Sequence, residues 1–297
     1  MRSMRWWLVC IFLMLATSAA LAAAPSPCGS CAAWNVAQPP FRIFGNTYYV
    51  GVRGLSSILI TSSEGHVLID GGLAESVSNI AASIRALGFR VEDVKLILNS
   101  HAHFDHAGGI AELQRLSGAV VVASSWSAEA LKTGVVGRAD PQFGEVPPIA
   151  PVAQVWSMPV EETLRVGPIA LTPHFTPGHT PGGTSWAWRS CEGERCLDIV
   201  YADSLTAVSN PGFLFTRSTD YPEALRDFER SFTRLSSLPC DVLLTPHPDA
   251  SDMMGILATR ALGGVDAFVN AAACRQLVER ARDGLSRRVA SEMGKQP

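Results

Sequence analysis

The chain has 297 residues, a formal net charge of −3 and 47% apolar residues. A chain of this length and apolar content can bury a large core, as one α/β domain or as two smaller ones. The slightly acidic balance gives no basic footprint, so nucleic acid is excluded as an expected partner.

The first 24 residues have the pattern of a secretory signal peptide. Arg2 and Arg5 precede an apolar stretch from Trp6 to Ala16, and small residues suited to cleavage follow at 20–24. That stretch is too short to span a bilayer securely, and no later apolar run is long enough. We therefore predict removal of residues 1–24, a periplasmic product and no stable membrane anchor; an uncleaved anchor is the alternative.

The cysteines beyond the signal are even in number, which indicates disulfides in an exported chain. The simplest pairing joins neighbours in the sequence. Cys28 and Cys31 are also spaced like a redox or zinc pair, but a local disulfide is favoured there. The cysteines are Cys28, Cys31, Cys191, Cys196, Cys240 and Cys274.

The first half of the chain alternates strands and helices, in the order typical of a layered α/β fold with outer helices. Apolar positions at helical spacing predict a helix from Val77 to Leu87, which Gly88 ends, and a shorter helix from Ile110 to Leu116. Strands are predicted at 47–52, 57–61, 66–70, 95–99 and 119–123.

A histidine-rich loop directly follows the predicted strand at 95–99. Three of the seven histidines in the chain, with one aspartate, lie in this loop. Imidazole and carboxylate ligands suit zinc, and sites of this type that keep an open position are catalytic. The loop therefore predicts a metal site rather than a surface loop that happens to contain histidines. The residues are His101, His103, Asp105 and His106.

Residues 132–158 interrupt the pattern with many Gly and Pro, which predicts a functional or mobile loop. Gln142, Phe143 and Trp156 are candidate substrate contacts in this segment. Strands are then predicted at 170–175, 184–188, 197–201 and 241–244. Asp220 to Glu223 resembles a capping box before an amphipathic helix, and a helix that begins near Cys274 closes the chain.

Two further histidines follow predicted strands in proline-containing turns. His179, in a Pro/Gly turn, is expected to complete the first metal site, and His247, between two prolines, to complete the second. His66 and His174 are expected to be structural. Asp70 ends a predicted strand, where its carboxylate either caps the turn or supports a metal ligand.

These motifs together resemble the metallo-β-lactamase superfamily, over residues 41–285. The resemblance implies a four-layer αβ/βα sandwich in which two mixed sheets carry outer helices, formed by residues 25–297 as one catalytic domain. The segments 100–109, 201–206 and 238–248 resemble the class B β-lactamases of subclass B3, in which no cysteine binds metal. Ser204 stands where another subclass has that cysteine.

By this resemblance, two zinc ions are bound by six residues. His101, His103 and His179 bind the first ion, and Asp105, His106 and His247 bind the second. Asp105 also accepts a hydrogen bond from the nucleophile, which makes it the catalytic carboxylate. The resemblance further implies that Ser204 and Thr206 hydrogen-bond the substrate carboxylate, and that Cys240 and Cys274 form a disulfide.

The implied activity is zinc-dependent hydrolysis of β-lactam rings, including those of penicillins, cephalosporins and carbapenems, which confers antibiotic resistance. The small-molecule substrate is the expected partner, and no protein partner is implied. The alternatives are another hydrolase of the same fold, such as a lactonase, thioesterase or phosphodiesterase, and a non-catalytic zinc-binding protein. Asp203 discriminates among the hydrolases, because in many relatives an aspartate after this strand bridges both metals.

Overall fold

A computed structural model of the chain describes residues 28–294, apart from the side chains of 261–263 and 265. The predicted signal peptide, residues 1–24, lies outside the described residues. Within them, no helix is long and apolar enough to cross a membrane. The described strands are β1 (Phe41–Phe44), β2 (Thr47–Tyr49), β3 (Ile58–Ile60), β4 (His66–Ile69), β5 (Val94–Leu98), β6 (Val120–Ser124), β7 (Val155–Met158), β8 (Leu164–Val166), β9 (Ile169–Phe175), β10 (Thr184–Glu192), β11 (Arg195–Tyr201) and β12 (Val242–Leu244).

The described α-helices lie between and after these strands, and short 3₁₀ turns occupy Ala74–Ser76, Val91–Asp93, Pro248–Ser251 and Gly264–Asp266. The α-helices are α1 (Cys31–Trp34), α2 (Val77–Ala86), α3 (Phe104–Ala107), α4 (Ile110–Ser117), α5 (Ser125–Thr133), α6 (Ala224–Ser237), α7 (Met253–Gly263) and α8 (Ala273–Met293).

The strands form two mixed sheets. The first runs β1 to β7 in chain order, antiparallel as far as β4 and parallel from β4 to β7. The second has the order β12-β11-β10-β9-β8, in which only the β11–β12 pair is parallel. Parallel pairs need crossover connections, and helices supply them here.

Each sheet has a hydrophobic core on both of its faces, because successive side chains along a strand point to opposite faces of the sheet. Ile58 and Ile60 join the core between the two sheets, whereas Leu59 faces the core beneath α2, α4 and α5. In the second sheet, Ile199 faces the central core and Val200 faces the core beneath α6 and α8. The predicted four-layer αβ/βα sandwich is therefore confirmed.

The predicted strands agree with the structure to within a few residues, but strands β1, β7 and β8 and helices α1, α3, α5 and α7 were not predicted. β7 is a correction to the predicted loop at 132–158, because the last four residues of that segment pair with β6. The capping box at Asp220–Glu223 was wrong: α6 begins at Ala224, and its N-cap residue Glu223 makes no side-chain capping hydrogen bond. Instead, Ser218 Oγ accepts a hydrogen bond from the Tyr221 N–H at 3.0 Å, so this segment is a turn before the helix.

The structure pairs neighbouring cysteines. Cys28 lies beside Cys31, and Cys191 beside Cys196, its direct partner in the β10–β11 ladder. Cys240, at the entry to β12, lies beside Cys274 at the start of α8.

Candidate metal centre

The six predicted metal ligands converge at one rim between the two sheets. β5 ends at Leu98, and the chain continues through the histidine-rich loop into α3. The turn between β9 and β10 presents His179, and the segment after β12 presents His247. Buried strands that end at the same rim thus bring together side chains nearly 150 positions apart in the sequence.

The first group consists of His101, His103 and His179, all buried. One ring nitrogen from each lies within 4.8 Å of the others. The ring centroids are 4.7 Å apart for His101 and His103, 4.9 Å for His101 and His179, and 5.1 Å for His103 and His179. Three imidazoles that converge in this way supply three of the four ligands of a tetrahedral zinc site and leave the fourth position for water or substrate.

The second group consists of Asp105, His106 and His247, whose candidate ligand atoms also lie within 4.8 Å of one another. Asp105 Oδ2 is 3.2 Å from Nε2 of His106 and 3.2 Å from Nε2 of His247. Two ligands on a tetrahedral zinc, each about 2.1 Å from the metal, are separated by about 3.4 Å. The observed spacing therefore fits two edges of a metal site.

Buried carboxylates hold the second ring nitrogens of two ligands. His101 Nδ1 is 2.7 Å from Asp203 Oδ1, and His103 Nε2 is 3.0 Å from Asp140 Oδ2. These contacts leave Nε2 of His101 and Nδ1 of His103 directed to the common centre. His101 Nε2 is buried and has no hydrogen-bond partner among the described residues. An orphaned buried nitrogen of this kind is costly unless a metal binds it.

Backbone carbonyls accept hydrogen bonds from the second ring nitrogens of two other ligands. His179 Nδ1 donates to the Thr206 carbonyl at 2.8 Å, and His247 Nδ1 donates to the Gly54 carbonyl at 3.2 Å. In each case the contact fixes the tautomer that leaves Nε2 free as a ligand. Four of the five candidate histidine ligands are thus oriented by a contact to the ring nitrogen that faces away from the site.

Electrostatics favour the metal-binding protonation state at His101, His179 and Asp105, whereas the Asp105 carboxylate raises the pKa of His106 against the effect of burial. Burial and the neighbouring imidazoles hold the pKa of His101 well below its usual value and lower the pKa of His179 to about 3. Burial opposes ionisation of Asp105, but His106 and His247 outweigh it and hold its pKa well below the usual range. A metal binds neutral imidazoles and an ionised carboxylate, so a metal at the second group would displace the proton that Asp105 favours on His106.

Asp70 supports the loop that carries the first ligand, rather than contacting a ligand itself. Its buried carboxylate accepts hydrogen bonds from the Ser100 N–H at 2.8 Å, Ser100 Oγ at 2.6 Å, and Tyr201 Oη at 2.8 Å. Burial raises the pKa of Asp70 to about 6. The backbone of Asp70 has φ +60°, a conformation that non-glycine residues adopt at a cost, and such strain clusters at functional sites.

Asp203 lies behind His101 and belongs to neither group of candidate ligands. Its N–H donates to Ser185 Oγ at 2.9 Å, and a Cβ on Gly183 would come within 2.5 Å of Asp203 Oδ2. Glycine at 183 therefore makes room for this carboxylate. Burial raises the pKa of Asp203 to about 6.

The two predicted substrate-binding hydroxyls lie on the segment after β11. Ser204 is half-buried and Thr206 is exposed. Thr206 Oγ1 is 3.3 Å from His179 Nδ1, so this hydroxyl lies beside the first group of histidines.

The role of Asp140 was not predicted from the sequence, although this residue lies in the predicted loop at 132–158. Its neighbour Gln142 places Nε2 3.5 Å from His103 Nδ1, which brings this predicted contact to the site. Phe143 instead packs under Arg138, and Trp156 lies on the edge strand β7 with 47% of its surface exposed.

His66 and His174 both lie outside the two groups of candidate ligands. His66 packs edge-on against Phe89, and His174 pairs with Ser185 across the β9–β10 ladder.

Comparison with known proteins agrees with this geometry. The profile of the metallo-beta-lactamase superfamily matches residues 50–247. The solved Rm3 metallo-beta-lactamase is 56% identical, with a TM-score of 0.89 over 90% of this chain and 100% of that one. MEM-A1, a subclass B3 metallo-beta-lactamase isolated from a soil metagenome library, is 50% identical, with a TM-score of 0.87 over 89% and 100% of the two chains.

A more distant similarity is found to a curated lactonase. The N-acyl homoserine lactonase AttM of Agrobacterium fabrum (strain C58) is 26% identical over 236 residues, which span 65% of this chain and 81% of that protein.

Proposed function

The chain belongs to the metallo-β-lactamase superfamily, and we propose that it is an exported subclass B3 enzyme that hydrolyses penicillins, cephalosporins and carbapenems and so confers resistance. The observation that carries this proposal is the pair of ligand groups, one of three histidines and one of Asp105 with two histidines, at a single rim. The 56% identity to Rm3 supports the substrate class.

We propose that the two groups hold two zinc ions. Zinc accepts nitrogen and oxygen ligands in tetrahedral geometry, and the Asp105-centred spacing of 3.2 Å fits two such ligands. The orphaned His101 Nε2 fits the same assignment. When bound, the zinc pair supplies Lewis-acid polarisation and a water of lowered pKa.

The chain's own residues then serve a hydrolysis in which water adds across the amide bond. The hydroxyl group ends on the carbonyl carbon, the C–N bond breaks, and a proton ends on the nitrogen. Asp105, held ionised, accepts a hydrogen bond from the attacking water and orients it. The hydroxyls of Ser204 and Thr206 hold the substrate carboxylate beside His179.

Export to the periplasm fits the proposal that the chain is a subclass B3 enzyme. The predicted signal peptide directs the chain to the periplasm, where an oxidising environment forms and maintains disulfides. We propose that the pairs Cys28–Cys31, Cys191–Cys196 and Cys240–Cys274 form there.

The similarity to AttM makes lactone hydrolysis the second candidate function. Against it stands the position of Asp203, which pairs with His101 Nδ1 at 2.7 Å instead of joining the two ligand groups. An aspartate held behind a histidine ligand cannot at the same time bridge two metals in front of it. The open positions left by three ligands per metal argue against a non-catalytic zinc-binding role.

The decisive experiment uses the mature chain, residues 25–297, loaded with zinc. We expect ring opening of a carbapenem, followed by its ultraviolet absorbance, with loss of turnover on addition of a chelator and recovery on return of zinc. An N-acyl homoserine lactone assayed in parallel should be hydrolysed far more slowly. Asp105→Ala serves as the matched inactive variant. Faster turnover of the lactone, or no chelator-sensitive turnover of any β-lactam, would refute the proposal.

A further inference from the structure

The segment before β1 packs against the metal centre, although it precedes the region that the superfamily profile matches, 50–247. α1 begins at Cys31, and the proposed Cys28–Cys31 bond closes the turn that leads into it. Cys31 is buried in a small apolar cluster with Val52, Leu55 and Leu73. We call residues 28–36 the N-terminal arm.

The arm holds the turn that orients one of the ligands. The Gly54 N–H donates to the Trp34 carbonyl at 2.9 Å, and the Arg53 N–H donates to the Val36 carbonyl at 2.8 Å. The Gly54 carbonyl in turn accepts the hydrogen bond from His247 Nδ1. A Cβ on Gly54 would lie 2.7 Å from the Cα of Trp34, so the turn and the arm are in direct contact.

Trp34 also contacts the ligand itself. Its ring centroid lies 5.1 Å from that of His247, at an interplanar angle of 53°. This separation is within the range of favourable aromatic pairs. The arm therefore acts on His247 in two ways: through the ring of Trp34 and through the backbone of Gly54.

His247 is the ligand that needs such support. Its side chain is 33% exposed, whereas the side chains of His101, His106 and Asp105 are at most 9% exposed. A loosely packed ring loses more rotational freedom when it binds a metal, and groups that orient ligands raise metal affinity for this reason.

We propose that Trp34 is a positioning residue for the second zinc: the N-terminal arm pre-orients His247 and thereby raises affinity at the Asp105–His106–His247 group. The inference rests on the proposed two-zinc centre. Groups that orient metal ligands typically change affinity by about 10–100-fold.

The test is a chelator-competition titration of the metal-free mature chain with zinc, which yields two dissociation constants. In Trp34→Ala we expect the dissociation constant of the second zinc to rise about tenfold or more. That of the first zinc should stay within about twofold of wild type, because His247 is the only candidate ligand whose ring Trp34 contacts among the described residues. Trp34→Phe, which retains a ring, should restore most of the affinity. Asp105→Ala identifies the binding step that belongs to the second group.

Controls separate this role from general destabilisation. Trp156→Ala removes an exposed tryptophan on β7 and should leave both constants at wild-type values. Trp34→Leu keeps apolar volume without a ring and replaces Trp34→Ala if that variant does not fold. Unchanged affinity in both the Ala and Leu variants, or equal weakening at both sites, overturns the inference. A wild-type chain that binds fewer than two zinc ions instead refutes the proposed metal centre.

Discussion

At the scale of single residues, two buried aspartates from distant segments hold the histidines that bind the first metal. Asp203 follows β11, and Asp140 lies in the loop between α5 and β7, yet each reaches the ring nitrogen that faces away from the site. A carboxylate in this position fixes the tautomer and makes the imidazole a stronger donor to a metal. Asp140 also accepts a hydrogen bond from the Gln142 N–H at 2.8 Å, which shapes the loop around it.

We expect Asp140→Asn to weaken zinc binding at the first group by about tenfold, because an amide still accepts the hydrogen bond of His103 but contributes no charge. Zinc competition titration measures the change. Glu112→Gln, which neutralises an exposed carboxylate on α4, is the matched control and should have no effect. Wild-type affinity in Asp140→Asn would show that the charge of Asp140 does not support the site.

The difference between the ligands and Asp140 explains what the sequence could predict about the site. The four clustered ligands have a fixed local spacing, and His179 and His247 sit in proline-containing turns after strands, so all six could be named. Asp140 is one acidic residue in a Gly/Pro-rich loop, 37 positions from its partner His103. Its role depends on how that loop folds over the rim, which no local pattern encodes.

At the scale of elements, the predicted strands and α2 follow from alternation and helical spacing, and Gly88 ends α2 with φ +84° as expected. α5 was missed because β6 runs directly into it, with no residue between them to mark a boundary. Its start is fixed by Ser124 Oγ, which accepts the Ser127 N–H at 3.4 Å. α7 carries apolar residues without a clear stripe, so its sequence shows little helical periodicity.

A buried carboxylate on α8, the last helix, forms hydrogen bonds with the loop before α6. Glu292 accepts hydrogen bonds from the N–H groups of Phe215 at 3.2 Å and Thr216 at 2.9 Å, and pairs with Arg288. Burial alone would raise the pKa of Glu292, but Arg288 and these donors outweigh it and lower its pKa below the ordinary value.

We expect Glu292→Gln to lower the free energy of unfolding at pH 7 by about 1–3 kcal/mol, since buried donors lose a charged acceptor. Because the folded-state pKa is depressed, this stabilisation is complete above the ordinary glutamate pKa of about 4.3 and is lost as the pH falls through the lowered value. Urea denaturation of wild type and variant between pH 3 and 7 measures the difference. Glu279→Gln on the exposed face of α8 is the control, and a difference independent of pH would contradict this assignment.

The proposed Cys240–Cys274 bond joins β12 to α8 across 34 positions. A bond that closes a loop of this length restricts the unfolded chain and contributes about 4 kcal/mol in the ideal case. We therefore expect the double variant Cys240→Ala/Cys274→Ala to unfold at lower urea concentration than wild type under oxidising conditions. Equal midpoints for the two proteins would mean that the bond does not form or does not constrain the unfolded state.

At the scale of the whole molecule, the proposed zinc pair connects the two halves of the sandwich. His101 to His106 follow a strand of the first sheet, whereas His179 and His247 follow strands of the second. Metals that bind the folded chain and not the unfolded one stabilise it by mass action, by about 4 kcal/mol at a thousandfold excess over the dissociation constant. Because the ligands come from both sheets, this stabilisation acts on the entire domain.

We therefore expect removal of zinc to lower the Tm of the mature chain by about 10 °C, since about 1 kcal/mol corresponds to about 2–4 °C in a domain of this size. Differential scanning calorimetry with excess zinc and with excess chelator measures the shift. The double variant Asp105→Ala/His179→Ala, which lacks one ligand in each group, should have the same Tm under both conditions. A wild-type Tm that does not respond to chelator would contradict a metal pair that joins the sheets, whereas a response retained in the double variant would place the stabilising metal elsewhere.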